Sequence, residues 1–212
     1  MARILIVSAI HRKLAYPLQC RAMGLAHRAI AKDTAHDFGL WLDFREAEKR
    51  EESHCARVCR VADDALKAMD LSQWDYVLWV DADVIDYPPD ICSRFLALNP
   101  NGITAPLPII EGSERLYDTL GYIDEGGTHL AHDAPYWPTE PQDRLAPMEC
   151  VGMMLLVPAL IFAKVGVPDC GDGYAGWAAA CLYARQHGLW VAVDRETVAL
   201  HAALPDYGHE WH

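Results

Sequence analysis

Apolar residues run unbroken from 76 to 80, Tyr-Val-Leu-Trp-Val, and the run stops at Asp81-Ala82-Asp83. A continuous β-branched and aromatic run of that length reads as a strand buried on both faces of a sheet. Comparable runs at 3–9 and 148–157, with shorter ones at 39–44, 103–106 and 190–193, predict further strands. Between them the spacing becomes helical. In 54–69, Val58, Val61, Ala62, Ala65, Leu66 and Met69 share one face, and Arg57, Arg60, Asp64 and Lys67 the other. Residues 14–32, 91–98, 159–165 and 175–186 read as helices, the last closed by Gly188. The opening order is therefore β-α-β-α-β, which predicts an α/β domain with a central, mostly parallel sheet flanked by helices. No repeat or low-complexity linker divides the chain, so 1–212 reads as one domain.

About forty residues after Pro106 break this rhythm. Gly, Pro, Asp, His and Tyr dominate them, with Glu111-Gly112-Ser113 and Glu125-Gly126-Gly127 as interruptions. A loop-rich insert of that length in a compact domain is commonly a lid or a binding surface. Tyr122, Tyr136 and Trp137 could supply it with a stacking floor for a sugar or a base.

Composition narrows the class. With 52% hydrophobic and 23% charged residues the chain is globular, and its net charge of −12 argues against a broad grip on nucleic acid or anionic membrane. The seven cysteines form no CxxC pair. Cys55 and Cys59, one helical turn apart, lack the second pair a zinc site needs, so buried, reduced thiols are expected. The first apolar run is too short for a signal peptide, and no window is long enough to span a membrane. The expectation is a soluble, cytoplasmic protein.

The chemistry concentrates at strand ends. Two carboxylates at i and i+2 converge and repel where a buried strand surfaces, and a hard divalent cation, Mg²⁺ or Mn²⁺, would relieve that repulsion. His201, closing the apolar run 197–200, is placed to complete an Asp81/Asp83/His201 metal set. Ser8 to Lys13, read as the loop after the first strand, lies where open α/β sheets bind nucleotides, which makes Ser8, Ala9, Ile10 and His11 candidate contacts. That loop has no glycine, against a dinucleotide or Walker-type site. Asp43 could meet a base or ribose, and Arg57 or Arg60 could lean towards a nucleotide.

Taken together, these stretches resemble nucleotide-sugar-dependent glycosyltransferases of the GT-A fold, whose Asp-x-Asp motif closes a central strand and binds a metal–diphosphate. More narrowly, the chain is similar to the mannan-building Golgi mannosyltransferases. The similarity is carried by 77–84 with Pro88, Tyr117-Asp118-Thr119, 151–157, Gly176-Trp177 and His201. It implies a GDP- or UDP-linked sugar donor held through Asp81, Ala82, Asp83 and Mn²⁺ or Mg²⁺, with residues 1–100 binding the donor and 101–212 the acceptor. It also implies retention of configuration, and Asp118 joins the catalytic candidates; an inverting enzyme would need a base, for which Asp172 is the candidate. The Golgi enzymes carry acids immediately before the Gly-aromatic pair, where this chain has Tyr174 and Ala175. The acceptor stays open between a saccharide and another hydroxyl, including a hydroxymethylated base in DNA. A sugar-1-phosphate nucleotidyltransferase and a non-catalytic nucleotide-sugar-binding module are the rival readings.

Overall fold

A computed structural model describes residues 1–11, 16–45, 54–119, 121–139, 141–168 and 176–203. Strands β1 (Arg3–His11), β2 (Asp37–Arg45) and β3 (Tyr76–Val80) alternate with helices α1 (Tyr16–Lys32) and α2 (His54–Lys67). Then come β4 (Val84–Asp86), α3 (Ile91–Leu98), β5 (Ile103–Ile110), β6 (Ile123–Asp124), β7 (Leu145–Cys150), β8 (Met154–Pro158), α4 (Ala159–Val165), α5 (Trp177–Gln186) and β9 (Val191–His201). The sheet order is β2-β1-β3-β8-β5-β9-β7-β6, with β4 paired to β9.

Side-chain alternation along the central strands feeds two cores. Leu5, Val7, Val77 and Trp79 face one way, against Cys59, Ala62, Ala65 and Leu66 of α2, Phe162 of α4 and Trp177 of α5. Ile4, Ile6, Leu78 and Val80 face the other way, against Leu25, Ala26 and Ala29 of α1 and Ile91, Cys92 and Phe95 of α3. The result is a three-layer α/β/α domain. Among the described residues, no helix is long and apolar enough to cross a membrane.

The expected parallel order holds for β2-β1-β3. Beyond β3 the sheet is mixed: β8 is antiparallel to both β3 and β5, β9 runs parallel to β5, and β7 is antiparallel to β9. A buried strand has the same composition in either direction, so the apolar pattern carries no record of this. The run 148–157 is two strands rather than one. Met153 has φ of 56°, and the Met154 N–H donates to the Gly152 carbonyl at 2.6 Å, a γ-turn that sends β7 to β9 and β8 to the sheet centre. Conversely, the runs near 190–193 and 197–201 are a single strand. Its register to β5 jumps from Pro106↔Asp194 to Leu107↔Val198, so residues 195–197 bulge out.

β5 also continues past Pro106. Its one pairing with β8 is at Thr104↔Leu156, so Pro106 and Pro108 interrupt no ladder on that side. Their carbonyls instead accept from the insert: Pro106 from the Tyr122 hydroxyl (3.0 Å) and Pro108 from the Tyr117 N–H (2.8 Å). The insert is correspondingly well anchored. Leu116, Tyr122, Leu130 and Trp137 are buried in the first core. Tyr122 and Trp137 therefore pin the insert down and offer no stacking floor, while the Tyr136 hydroxyl is spent on the Glu114 carbonyl at 2.6 Å.

Candidate active site

β3 delivers Asp81 to the edge of both cores, and a turn begins there. The Asp81 N–H donates to the Met153 carbonyl (3.0 Å), and its own carbonyl accepts from Val84 N–H (3.1 Å), so Ala82 and Asp83 form the tip of a β-turn. β4 leaves this turn antiparallel to the end of β9, with Val84 opposite His201. The Ala202 N–H closes the ladder on the Asp83 carbonyl at 2.9 Å. Backbone pairing thus sets Asp83 beside His201, with Oδ2 and Nε2 3.1 Å apart.

The chemistry of that pair follows from the other ring nitrogen. His201 Nδ1 lies 2.8 Å from the Ala202 carbonyl, which can only accept, so Nδ1 carries a hydrogen. In the neutral imidazole Nε2 then presents a lone pair to a carboxylate. Nε2 is buried, and among the described residues its one close polar neighbour is Asp83 Oδ2 at 3.1 Å. Burial works against a charged ring, but the Asp83 carboxylate outweighs it and holds the His201 pKa above the usual histidine value. A nitrogen and an oxygen are thus held face to face, an arrangement that can take a proton or a cation between them.

Three more groups surround the pair. Asp81 Oδ1 accepts from Trp79 Nε1–H at 2.7 Å, which turns this carboxylate onto its own strand. Burial first, then the charges of Asp83 and Asp118, push the Asp81 pKa up to about 8 against the opposing pull of Trp79 and His201. Asp118 arrives from the insert, and its Oδ1 accepts from Gly121 N–H at 2.8 Å. A Cβ on Gly121 or on Gly152 would land on the Asp118 carboxylate, so both glycines make the room it occupies. Burial raises the Asp118 pKa as well. Tyr117 lays its ring on His201, with centroids 3.3 Å apart and planes 11° from parallel.

Asp81, Asp83, Asp118 and His201 therefore share one site. Among the described residues no group of three or more His, Cys, Asp or Glu is assembled to hold a metal ion; Asp83 and His201 meet, while Asp81 faces Trp79. Ser8, Ala9, Ile10 and His11 are not a loop. They are the last four residues of β1, kept in the ladder because β2 continues alongside to Arg45. Ser8 is buried with no partner for its hydroxyl among the described residues, and the side chains of Ile10 and His11 lie outside the described residues. Asp43 also lies within a strand, opposite Ala9. Arg57 is partly buried on α2, and Arg60 pairs with Asp64 one turn along the helix at 4.0 Å. Asp172, Tyr174, Ala175 and the tail 205–212 lie outside the described residues.

Sequence reasoning gave no role to Trp79, Tyr117, Gly152 or Met153, which it placed only within stretches of resemblance, and did not single out Gly121. A signal existed for Trp79, which sits two residues before Asp81 and so on the same face of the strand. None existed for the glycines, whose role is defined by a carboxylate distant in the chain.

The class is a GT-A-like, Rossmann-like α/β fold with a carboxylate–imidazole site at the end of its central strand. Residues 1–349 of S. aureus TarS share this fold, with a TM-score of 0.52 at 7% identity over 94% of this chain. The chain spans 60% of that structure and 35% of a longer TarS structure. Weaker likenesses are to a glycosyltransferase involved in glycosylation of the major capsid of PBCV-1 (TM-score 0.45, 14% identity, covering 94% of this chain and 81% of that one) and to CMP:2-keto-3-deoxy-manno-octonic acid synthetase (TM-score 0.46, 8% identity, covering 95% and 90%). No family model and no curated protein sequence matches the chain, so the narrower likeness to Golgi mannosyltransferases finds no support beyond the fold.

Proposed function

We propose that this protein is a metal-dependent glycosyltransferase that moves a sugar from a nucleotide diphosphate sugar to an acceptor hydroxyl. The observation that carries the reading is the facing of His201 Nε2 and Asp83 Oδ2 at 3.1 Å, with Nδ1 tied to Ala202. A mixed nitrogen–oxygen pair suits Mn²⁺, and cations of this kind are commonly held by one or two protein ligands plus substrate phosphates. The lack of a three-residue protein cage among the described residues is consistent with that mode. When bound, such an ion supplies charge stabilisation to the departing diphosphate.

The chain's own groups account for the rest. Asp83 and His201 would hold the ion. Asp81, oriented by Trp79, would receive a ribose hydroxyl or a metal-bound water. The ends of β1 and β3, which pair in parallel as far as Val7 and Trp79, would form the nucleotide floor with Ser8 and Ala9, as in other open α/β sheets. Asp118, seated between Gly121 and Gly152, would meet the acceptor side, because it comes from the insert and not from the nucleotide half. Burial raises its pKa, which favours the protonated carboxyl. A GDP- or UDP-linked donor is the first choice, and the acceptor class is to be set by screening.

The test is donor binding by calorimetry across UDP-, GDP- and CMP-sugars, with and without Mn²⁺, for the wild type and Asp83→Ala. Metal-dependent binding lost in Asp83→Ala, with an unchanged circular dichroism spectrum, is expected. Failure of every donor to bind would sink the proposal. The same carboxylates could serve a nucleotidyltransferase; pyrophosphate release from a nucleoside triphosphate and a sugar phosphate would select that reaction instead.

A further inference from the structure

His201 has a weak point. Its Nδ1–H donates to the carbonyl of the adjacent Ala202, its Nε2 faces Asp83 Oδ2 at 3.1 Å without a standard hydrogen bond, and it stands on the last residue of β9. One hydrogen bond to a neighbouring residue leaves the ring able to pivot about its side-chain torsions. A pivot would carry Nε2 away from Asp83. Yet the imidazole is fully buried, and what covers it is the ring of Tyr117.

Tyr117 is itself held from several directions. Its N–H donates to the Pro108 carbonyl (2.8 Å), and the N–H of the preceding Leu116, which is 0% exposed, donates to the His132 carbonyl (2.8 Å). The following residue, Asp118, is fastened to the Gly121 N–H. β5 and the insert thus present the phenol ring at a set height over the imidazole. Tyr117 nonetheless remains 38% exposed, so it forms a wall with one side on His201 and the rest towards solvent. Its hydroxyl lies in the field of Asp83, Asp81 and Asp118, which together with burial keep it protonated.

We propose that Tyr117 is a positioning residue: its ring, not its hydroxyl, fixes the His201 imidazole with Nε2 aimed at Asp83 and keeps water off it. The insert then has a definite task beyond acceptor contact. It closes the His201 side of the site from residues remote in sequence from the Asp81–Asp83 turn. For its metal arm this inference rests on the function proposed above.

Two variants separate ring from hydroxyl. Tyr117→Phe keeps the stack, and Tyr117→Leu keeps bulk without an aromatic face. The first readout needs no metal: long-range ¹H–¹⁵N spectra of the histidines at alkaline pH, where imidazoles are neutral. Wild type and Tyr117→Phe should show His201 as one Nδ1–H tautomer with ring protons shifted upfield by the stacked ring. Tyr117→Leu should lose the shift and show mixed tautomers. The second readout is Mn²⁺ affinity by electron paramagnetic resonance in the presence of UDP or GDP. Tyr117→Phe should stay within about twofold of wild type, and Tyr117→Leu should weaken by about three- to tenfold, the scale of one lost aromatic pair. A folded Tyr117→Leu with the wild-type tautomer and Mn²⁺ affinity overturns the proposal, as does Tyr117→Phe behaving like Tyr117→Leu. If the wild type binds no Mn²⁺, the metal reading falls, while the tautomer spectra still decide the role of Tyr117.

Discussion

The bulge in β9 decides where His201 ends up, and Asp194 holds the bulge. Its side chain is 0% exposed and receives Arg144 Nε and NH2 (2.8 Å each), Thr197 Oγ1 (2.6 Å) and Glu196 N–H (3.2 Å). Burial alone would raise its pKa; these four donors outweigh burial and hold it below the usual carboxylate range. Asp194→Asn keeps the shape, removes the charge and turns an amide N–H₂ on groups that are themselves donors. Breaking a buried ion pair costs about 3–5 kcal/mol. Arg144 is 37% exposed and can recover water, which discounts the loss to about 2–3 kcal/mol. For a domain of this size that is a fall in Tm of roughly 5–10 °C. Urea denaturation should show a lower midpoint with unchanged slope. The sign with pH follows from the depressed pKa: the stabilisation is complete above the unfolded carboxylate value of about 3.9 and disappears as pH falls through the lower folded value. Wild type and variant should therefore differ at neutral pH and converge in acid. A variant as stable as wild type at pH 7, or a gap that persists unchanged into acid, would refute the assignment of this stability to the carboxylate.

Two further outcomes separate site from scaffold. Gly152→Ala drives a Cβ onto the Asp118 carboxylate and should cost about 1–3 kcal/mol by overpacking while displacing Asp118, so that turnover falls more than donor affinity in steady-state and binding assays. Asp33→Ala should cost about 1–2 kcal/mol in thermal unfolding, because the buried carboxylate accepts from Ser93 N–H (3.0 Å) in the first turn of α3 and from Ser93 Oγ (2.7 Å). Its donor binding should match wild type, since this contact lies at the α1–α3 side and not at the carboxylate site.

What the sequence could show was what local pattern encodes. Tyr76–Val80, Ile91–Leu98 and Ala159–Val165 fall where the apolar spacing placed them, and Asp81 and Asp83 do surface at the end of a buried strand. What it could not show depends on partners far along the chain. Val151, Gly152 and Met153 continue an apolar run without a break in composition, so nothing local marks Met153 as the corner between β7 and β8. Ser8 to Lys13 read as the loop at the carboxyl end of the first strand; as far as His11, β2 keeps these residues in the ladder.

The candidate metal site shows the same division at the scale of single atoms. His201 could be named from the sequence as a ligand, but its nearness to Asp83 requires β4 to pair with the end of β9 and residues 195–197 to bulge. Side chains alternate faces along a strand, so a slip of one residue would turn His201 away from Asp83. Asp81 was grouped with Asp83 because they are two residues apart, yet the Trp79 indole turns its carboxylate onto its own strand. The carboxylates are thus local in sequence and divergent in direction, whereas the imidazole is remote and convergent. A site built that way should be more sensitive to changes at Asp194 or Tyr117, which set the position of His201, than to conservative changes within α2.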